Sequence, residues 1–312
     1  DVLSKLYGTM PWDSFLKMWN KKLDEVIEQY RPDLIWFDSW LDRIPQKNRR
    51  EFVNTYLEAA SSWNKPVVIT YKQNDLPQNV GIVDFEKGRL DRLTEYAWLT
   101  DDTISAGVWT ETGSWSYTEE LDIKDSKELI HTLVDIVSKN GNLLLNISPR
   151  SDGSIPIDQR YSLMGVGEWL KINEEAIYGT RPFKIYGEGP KRMASSGHFV
   201  QMDGEYNAEN IRFTKKQDSL YVIQMGWIGS NKSFIIKCLN ADSMSNVSIK
   251  NVSVLGSNEV IQWEQCPEGL KIRSPFKAPN KSAVVFKINM NDLDQILIED
   301  KAEAMPPITV DG

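Results

Sequence analysis

Asp38 ends the apolar run Leu34-Ile35-Trp36-Phe37, and its neighbours make it the first candidate for chemistry. A carboxylate so placed can serve as nucleophile or base, or as an acceptor for a polar ligand. Trp36 lies two positions earlier, on the same side of an extended strand as Asp38, and Trp40 lies two positions later. Indole rings beside a carboxylate suit a sugar, whose C–H faces pack on the rings. The competing reading is that Asp38 only caps the element that follows. A second carboxylate, Glu86, occurs in Asp84-Phe85-Glu86-Lys87-Gly88-Arg89, and Asp101 and Asp102 follow Trp98. Two carboxyl groups across a sugar ring are the standard means of glycoside hydrolysis, one as nucleophile or base and one as a proton donor whose pKa burial has raised. Against this, Glu86 could be a surface residue paired with Lys87 and Arg89. Lys72 and Trp115 would complete a pocket, as a cation for hydroxyl oxygens and as an apolar wall.

Other chemistries lack the residues they need. The chain has two His, with His131 in a helical pattern and His198 in the stretch read below as a β-sandwich, and two Cys late in the chain. These make no metal cluster and no Ser-His pair of workable spacing. No P-loop or dinucleotide fingerprint is present, so neither a metal nor a cofactor is expected. A net charge of −8 without a basic stripe argues against nucleic acid as a partner. No apolar run reaches the length of a membrane span.

The elements that must carry these residues alternate. Apolar positions Phe15, Trp19, Leu23, Ile27 and Tyr30 share one helical face from Asp13 to Pro32. The Asp33 to Phe37 strand follows, apolar enough to be buried on both sides as in a parallel sheet. A second helix carries Phe52, Tyr56, Leu57, Ala60 and Trp63; then come strands at Val67 to Thr70, at Ile82 to Phe85 and within Ile104 to Trp109. A helix over Asp125 to Lys139 ends at Asn140-Gly141, the run Asn142 to Ile147 reads as another doubly buried strand, and a helix carries Leu163, Val166, Trp169 and Leu170. About five βα units precede residue 180, whereas a closed (β/α)₈ barrel needs about eight strands and about 250 residues. The expectation is a (β/α)₈-type barrel, incomplete at its N-terminus, over residues 1–180. From residue 181 to 290 short alternating runs such as Ser219 to Met225 and Ala283 to Ile288, separated by turn residues, read as an antiparallel β-sandwich. Residues 291–312 read as an acidic tail or linker.

The segments DLIWFDSW, TYKQND, DFEKGR, LVDIVSKNGNLLLNISPRSDGSIP and EWLKINEEAIYGTRPF resemble the α-L-fucosidases of glycoside hydrolase family 29 from about Tyr7 into the sandwich. The resemblance implies a barrel followed by a β-sandwich, and hydrolysis that retains the anomeric configuration. It makes Asp38 the nucleophile and places Trp36, Lys72 and Trp115 at positions that line the fucose pocket. Glu86 is the choice for the acid/base, with Glu95, Asp101 and Glu111 as fallbacks, because Trp98-Leu99 stands where many members have Trp-Glu. Asp38 is followed by Ser39 where Gly is common. The His residues that bind fucose hydroxyls in the family come from strands preceding the first residue here. A fragment or one half of a split enzyme is therefore expected. Its partners would be a fucosylated oligosaccharide or polysaccharide and a second chain or segment supplying the missing strands, and its site of action secreted or periplasmic. The alternatives are an inactive fragment or carbohydrate-binding protein, and a glycosidase for another sugar.

Overall fold

The computed structural model describes residues 8–107, 113–200 and 204–298. The chain divides into two compact units, one ending at Asp84 and the other beginning at Phe85.

The first unit contains α1 (Trp12–Tyr30), β1 (Leu34–Trp36), a single 3₁₀ turn at Leu41–Arg43, α2 (Gln46–Ser62), β2 (Val68–Lys72) and β3 (Ile82–Asp84). Pro11 and Pro45 precede the two helices, where a missing N–H costs no hydrogen bond. The α1 face is buried at Phe15 and Ile27 and the α2 face at Phe52, Tyr56 and Ala60, while Tyr30 and Leu57, expected inward, are exposed. Tyr30 is the last residue of α1, and Leu57 lies at the margin of the α2 apolar face. Trp19, Phe37 and Phe52 join the helices to the strand through mutual ring contacts at 5.2–6.2 Å. The strands are parallel, with Trp36 beside Thr70 and Lys72 beside Asp84. That register puts Trp36, Thr70, Lys72 and Asp84 on one face of the sheet.

In the second unit, β4 (Trp98–Thr103) and β5 (Gly141–Asn146) pair in parallel around α3 (Ser126–Ser138), and α4 (Ile157–Asn173) follows. The strand expected within 104–109 lies earlier, at Trp98–Thr103. Its Thr-Asp-Asp-Thr sequence hides it from a hydrophobicity reading, although all four residues are buried. Asp125 caps α3 by accepting the Glu128 N–H at 2.8 Å. Asn140 takes φ 72° to turn the chain, and Gly141 passes so close to Trp98 that a Cβ would sit 2.5 Å from the indole.

β1 and β5 are not buried on both faces, as their sequences suggest. Leu34 is 46% exposed on β1 and Leu144 is 47% exposed on β5. Within its own unit each strand pairs along one edge, β1 with β2 and β5 with β4, and apolar side chains on such strands stay partly wet.

The second unit continues through β6 (Arg181–Glu188), β7 (Ile211–Lys216), β8 (Ser219–Gln224), β9 (Ser233–Ile236), β10 (Ser248–Val254), β11 (Trp263–Cys266), β12 (Gly269–Arg273) and β13 (Val284–Asn291). They form a five-stranded antiparallel sheet in the order β10-β13-β8-β7-β6 and a three-stranded sheet β11-β12-β9. Leu220 and Val222 of β8 enter the core between these sheets with Phe286 and Leu270, while Tyr221 and Ile223 pack the other face against Ile130, Val134 and Trp169 of the helices. Burial on both faces explains the nearly unbroken apolar run of this strand. Leu293 and Ile296, beyond β13, are also buried in the sandwich core.

Candidate active site

Asp38 follows β1 by two residues, at the C-terminal edge where parallel sheets mount ligand-binding side chains. Its carboxylate is open, 69% exposed, and accepts the Ser39 N–H at 2.8 Å. Lys72, at the end of β2 and buried to 2% side-chain exposure, brings its ammonium 3.1 Å from the same oxygen. A buried cation facing an open carboxylate is a directed arrangement, since only the carboxylate meets solvent. Lys72 also lies 5.3 Å from the centre of the Trp36 ring, a cation–π contact. The Trp36 indole donates to the buried Asp84 carboxylate at 2.7 Å, which fixes the ring plane. Thus Trp36, Asp38 and Lys72 are brought together as the sequence predicts. Asp84 joins them unforeseen, although its place two residues before Glu86 on an alternating strand was a signal.

The turn carrying Asp38 is anchored from beneath. Asp75 is buried and accepts the backbone N–H groups of Leu41 and Asp42 at 3.2 and 3.3 Å. Burial pushes its carboxyl up to about 6, and the two N–H donors and the nearby Arg49 offset only part of that. Arg49 also donates to the Asp75 carbonyl. Trp40, at φ 75°, is exposed and has the Arg43 guanidinium 5.4 Å over its ring.

Glu86 belongs to the second unit, where Phe85 to Lys87 run alongside β4: the Phe85 N–H donates to Leu99 and the Lys87 N–H to Asp101, at 3.0 and 2.8 Å. Thr100 Oγ1 donates to the carbonyls of Phe85 and Gly88, at 2.7 and 2.8 Å. Glu86 is half-buried, and the buried Lys87 ammonium lies 5.9 Å over the Trp115 ring. Burial pulls the Lys87 pKa down, against the pull of Asp102. Trp115 is held through its carbonyl by Asn146 Nδ2 at 2.8 Å. His198 is not part of a sandwich strand; its Nδ1 accepts the Glu86 N–H at 3.0 Å. Nothing local in the sequence pairs residues so far apart.

The fallback carboxylates separate. Glu95 is exposed and precedes β4, at the strand's opposite end from the candidate chemistry. Asp102 is buried in an ion pair with Lys124 at 2.8 Å, a structural role. Asp101 is buried in β4, and Glu111 lies outside the described residues. A cavity of about 590 Å³ opens beside this loop, lined by Lys87, Arg89, Lys124, Glu128, His131 and Tyr206 among others. Burial raises the Glu128 carboxyl there. Among the described residues no cluster of His, Cys, Asp and Glu could hold a metal ion, and no helix is long and apolar enough to cross a membrane.

Parallel βα units with carboxylates, lysine and indoles at the C-terminal strand ends, followed by a β-sandwich, define a protein of barrel-type fold. Residues 3–175 match the family described as alpha-L-fucosidase, and residues 204–289 match the alpha-L-fucosidase C-terminal domain. The chain belongs to the alpha-L-fucosidase family. It is 29% identical to the tissue alpha-L-fucosidase of Rattus norvegicus over 267 residues, 83% of this chain and 51% of that protein. Against the Homo sapiens tissue alpha-L-fucosidase it is 29% identical over 274 residues, 85% of this chain and 52% of that one. The chain therefore spans about half the length of the curated relatives it matches. Among solved structures, Thermotoga maritima alpha-fucosidase in complex with a mechanism-based inhibitor aligns with a TM-score of 0.68 at 25% identity, covering 88% of this chain and 57% of that one.

Proposed function

We propose that this chain acts in a retaining exo-α-L-fucosidase that releases terminal α-L-fucosyl groups from oligosaccharides or polysaccharides, with Asp38 as nucleophile and Glu86 as acid/base. The observation that carries the reading is the open Asp38 carboxylate held 3.1 Å from the buried Lys72 ammonium beside Trp36, in a chain of this family. In the first step Asp38 attacks the anomeric carbon and forms a glycosyl ester, while Glu86 gives its proton to the departing glycosidic oxygen. In the second, Glu86 takes a proton from water, which attacks the same carbon and frees Asp38. Lys72 stabilises the carboxylate before attack and as it leaves again. Such double displacement requires the two carboxyl groups about 5–5.5 Å apart. The Trp36 wall favours the fucose methyl over a hydroxymethyl, by a few kcal/mol at most.

The exposed Leu34 and Leu144 support a further part of the proposal, that another segment or chain covers these strands in the working enzyme. Polysaccharide substrates place that enzyme outside the cell or in the periplasm, which fractionation of the source cells checks.

The test is release of nitrophenol from 4-nitrophenyl α-L-fucoside by the native protein and by Glu86→Ala. The proposal expects turnover in the first, loss in the second, and recovery of the second by azide with fucosyl azide as product. Fucose binding with no nitrophenol release by the native protein would make it a carbohydrate-binding protein instead.

A further inference from the structure

We propose that His198 is a positioning residue for Glu86, and that the Ser196–Phe199 segment between β6 and β7 is a strap fixing the proton donor's backbone. The inference rests on reading Glu86 as acid/base. The strap grips Glu86 on both sides of its Cα: its N–H donates to His198 Nδ1 at 3.0 Å, and its carbonyl accepts the Phe199 N–H at 2.8 Å. With both peptide groups held, the direction of the Glu86 side chain is set before substrate arrives. The grip continues along the loop. The Gly197 N–H donates to the Arg89 carbonyl at 3.1 Å, the Asp91 N–H to Ser196 Oγ at 2.8 Å, and Ser196 Oγ to Asp91 Oδ1 at 2.5 Å.

The approach is close enough to exclude any side chain at Gly88, where a Cβ would lie 2.0 Å from the Gly197 carbonyl oxygen. Next to Glu86, Lys87 takes φ 43°, a left-handed conformation that is strained for a non-glycine residue. Such a loop keeps its shape only when its surroundings dictate it, here β4 on one side and the strap on the other. The His198 ring is itself set against Phe85, with centroids 5.6 Å apart. Because the Glu86 N–H can only donate, Nδ1 carries no proton and the ring is the neutral Nε2–H tautomer.

His198 therefore supplies an acceptor at one defined point, and this gives the test. Asn puts an amide oxygen at the place of Nδ1, Gln puts one at the place of Nε2, and Ala puts none. The reading of a misdirected proton donor is leaving-group dependence, since a 2,4-dinitrophenolate departs without protonation and an alkoxide does not. The intact protein, His198→Ala, His198→Asn, His198→Gln and Glu86→Ala are assayed on 2,4-dinitrophenyl and methyl α-L-fucosides, with amide hydrogen exchange followed at Glu86. For His198→Ala, kcat/KM on the dinitrophenyl substrate, which reports the first step alone, should stay within about threefold of native, and kcat/KM on the methyl fucoside should fall by about 10- to 100-fold. Glu86 amide exchange should rise in His198→Ala and return to native in His198→Asn along with the rate. If His198→Ala does not fold, the Asn and Gln pair reads the same point, native-like for Asn and defective for Gln. Equal losses of kcat/KM on both substrates in the His198 variants, with Glu86→Ala still leaving-group dependent in kcat/KM, would overturn the strap and spare the acid/base. No leaving-group dependence in Glu86→Ala would remove the acid/base reading and the strap's role with it.

Discussion

Asp38 and Glu86 are held in opposite ways. Asp38 sits on an exposed turn and is fixed through its side chain, by one buried ammonium and one backbone N–H. Glu86 sits in a half-buried loop and is fixed through its backbone, by the strap and by β4. The difference suits the two tasks proposed for them. A nucleophile must present an ionised oxygen to an incoming sugar, and an adjacent cation directs it without closing the pocket. A proton donor must keep its direction while its charge changes, and backbone hydrogen bonds do not depend on that charge.

Each side of the comparison can be broken. The largest effect should come from the second unit, where Asp135 of α3 lies fully buried between Lys139 and Arg212 at 2.7 and 2.8 Å. Burial alone would push the Asp135 carboxyl up, but the ammonium and guanidinium hold it well below the usual carboxylate range. Arg89, whose carbonyl the strap holds, is tied to the same helix by a 2.9 Å bond to Thr132. Asp135→Asn leaves two cations buried against a neutral group, and urea unfolding should show a loss of about 3–5 kcal/mol. Lys72→Met keeps the packed stem and deletes the charge that directs Asp38. It should lower kcat on an aryl fucoside about a hundredfold. A loss confined to KM would mean that Lys72 binds substrate without serving the nucleophile.

Smaller changes sharpen the picture. Trp36→Phe removes the indole donor from the buried Asp84 carboxylate and should cost about 1–2 kcal/mol by thermal or chemical unfolding. The effect of Asp75→Asn is read in how stability varies with pH. Burial raises the Asp75 pKa from its ordinary 3.8 to about 6, so the folded protein keeps a proton there that the unfolded chain has released. The stability this contributes is complete below the unfolded value and is lost as pH rises through about 6. The melting temperature should therefore decline between about pH 4 and 6 in the native protein, with a flatter profile in Asp75→Asn.

Much of the first half of the site was legible because period-2 spacing and apolar runs encode it. Trp36 and Asp38 share a strand face, and Lys72 ends the next apolar run. The βα alternation and the sandwich were legible for the same reason, each element repeating a pattern that burial requires. What escaped detection was set by distant partners. β4 hid behind Asp101 and Asp102 because a buried carboxylate pairs with a lysine, Lys124, some twenty positions away. His198 meets Glu86 only through the course of a strap more than a hundred residues later. β1 and β5 read as doubly buried because sequence reports how apolar a strand is, not how many neighbours cover it.

Trapping the glycosyl ester tests directly whether Asp38 is the nucleophile. Treating the native protein with 2-deoxy-2-fluoro-α-L-fucosyl fluoride slows release of the intermediate, and peptide mass mapping then locates the sugar. One fluorofucosyl group is expected at Asp38, on the tryptic peptide from Leu23 to Arg43, because trypsin leaves the Arg31–Pro32 bond intact. A label on any other carboxylate, or turnover of the reagent with no covalent sugar, would contradict it.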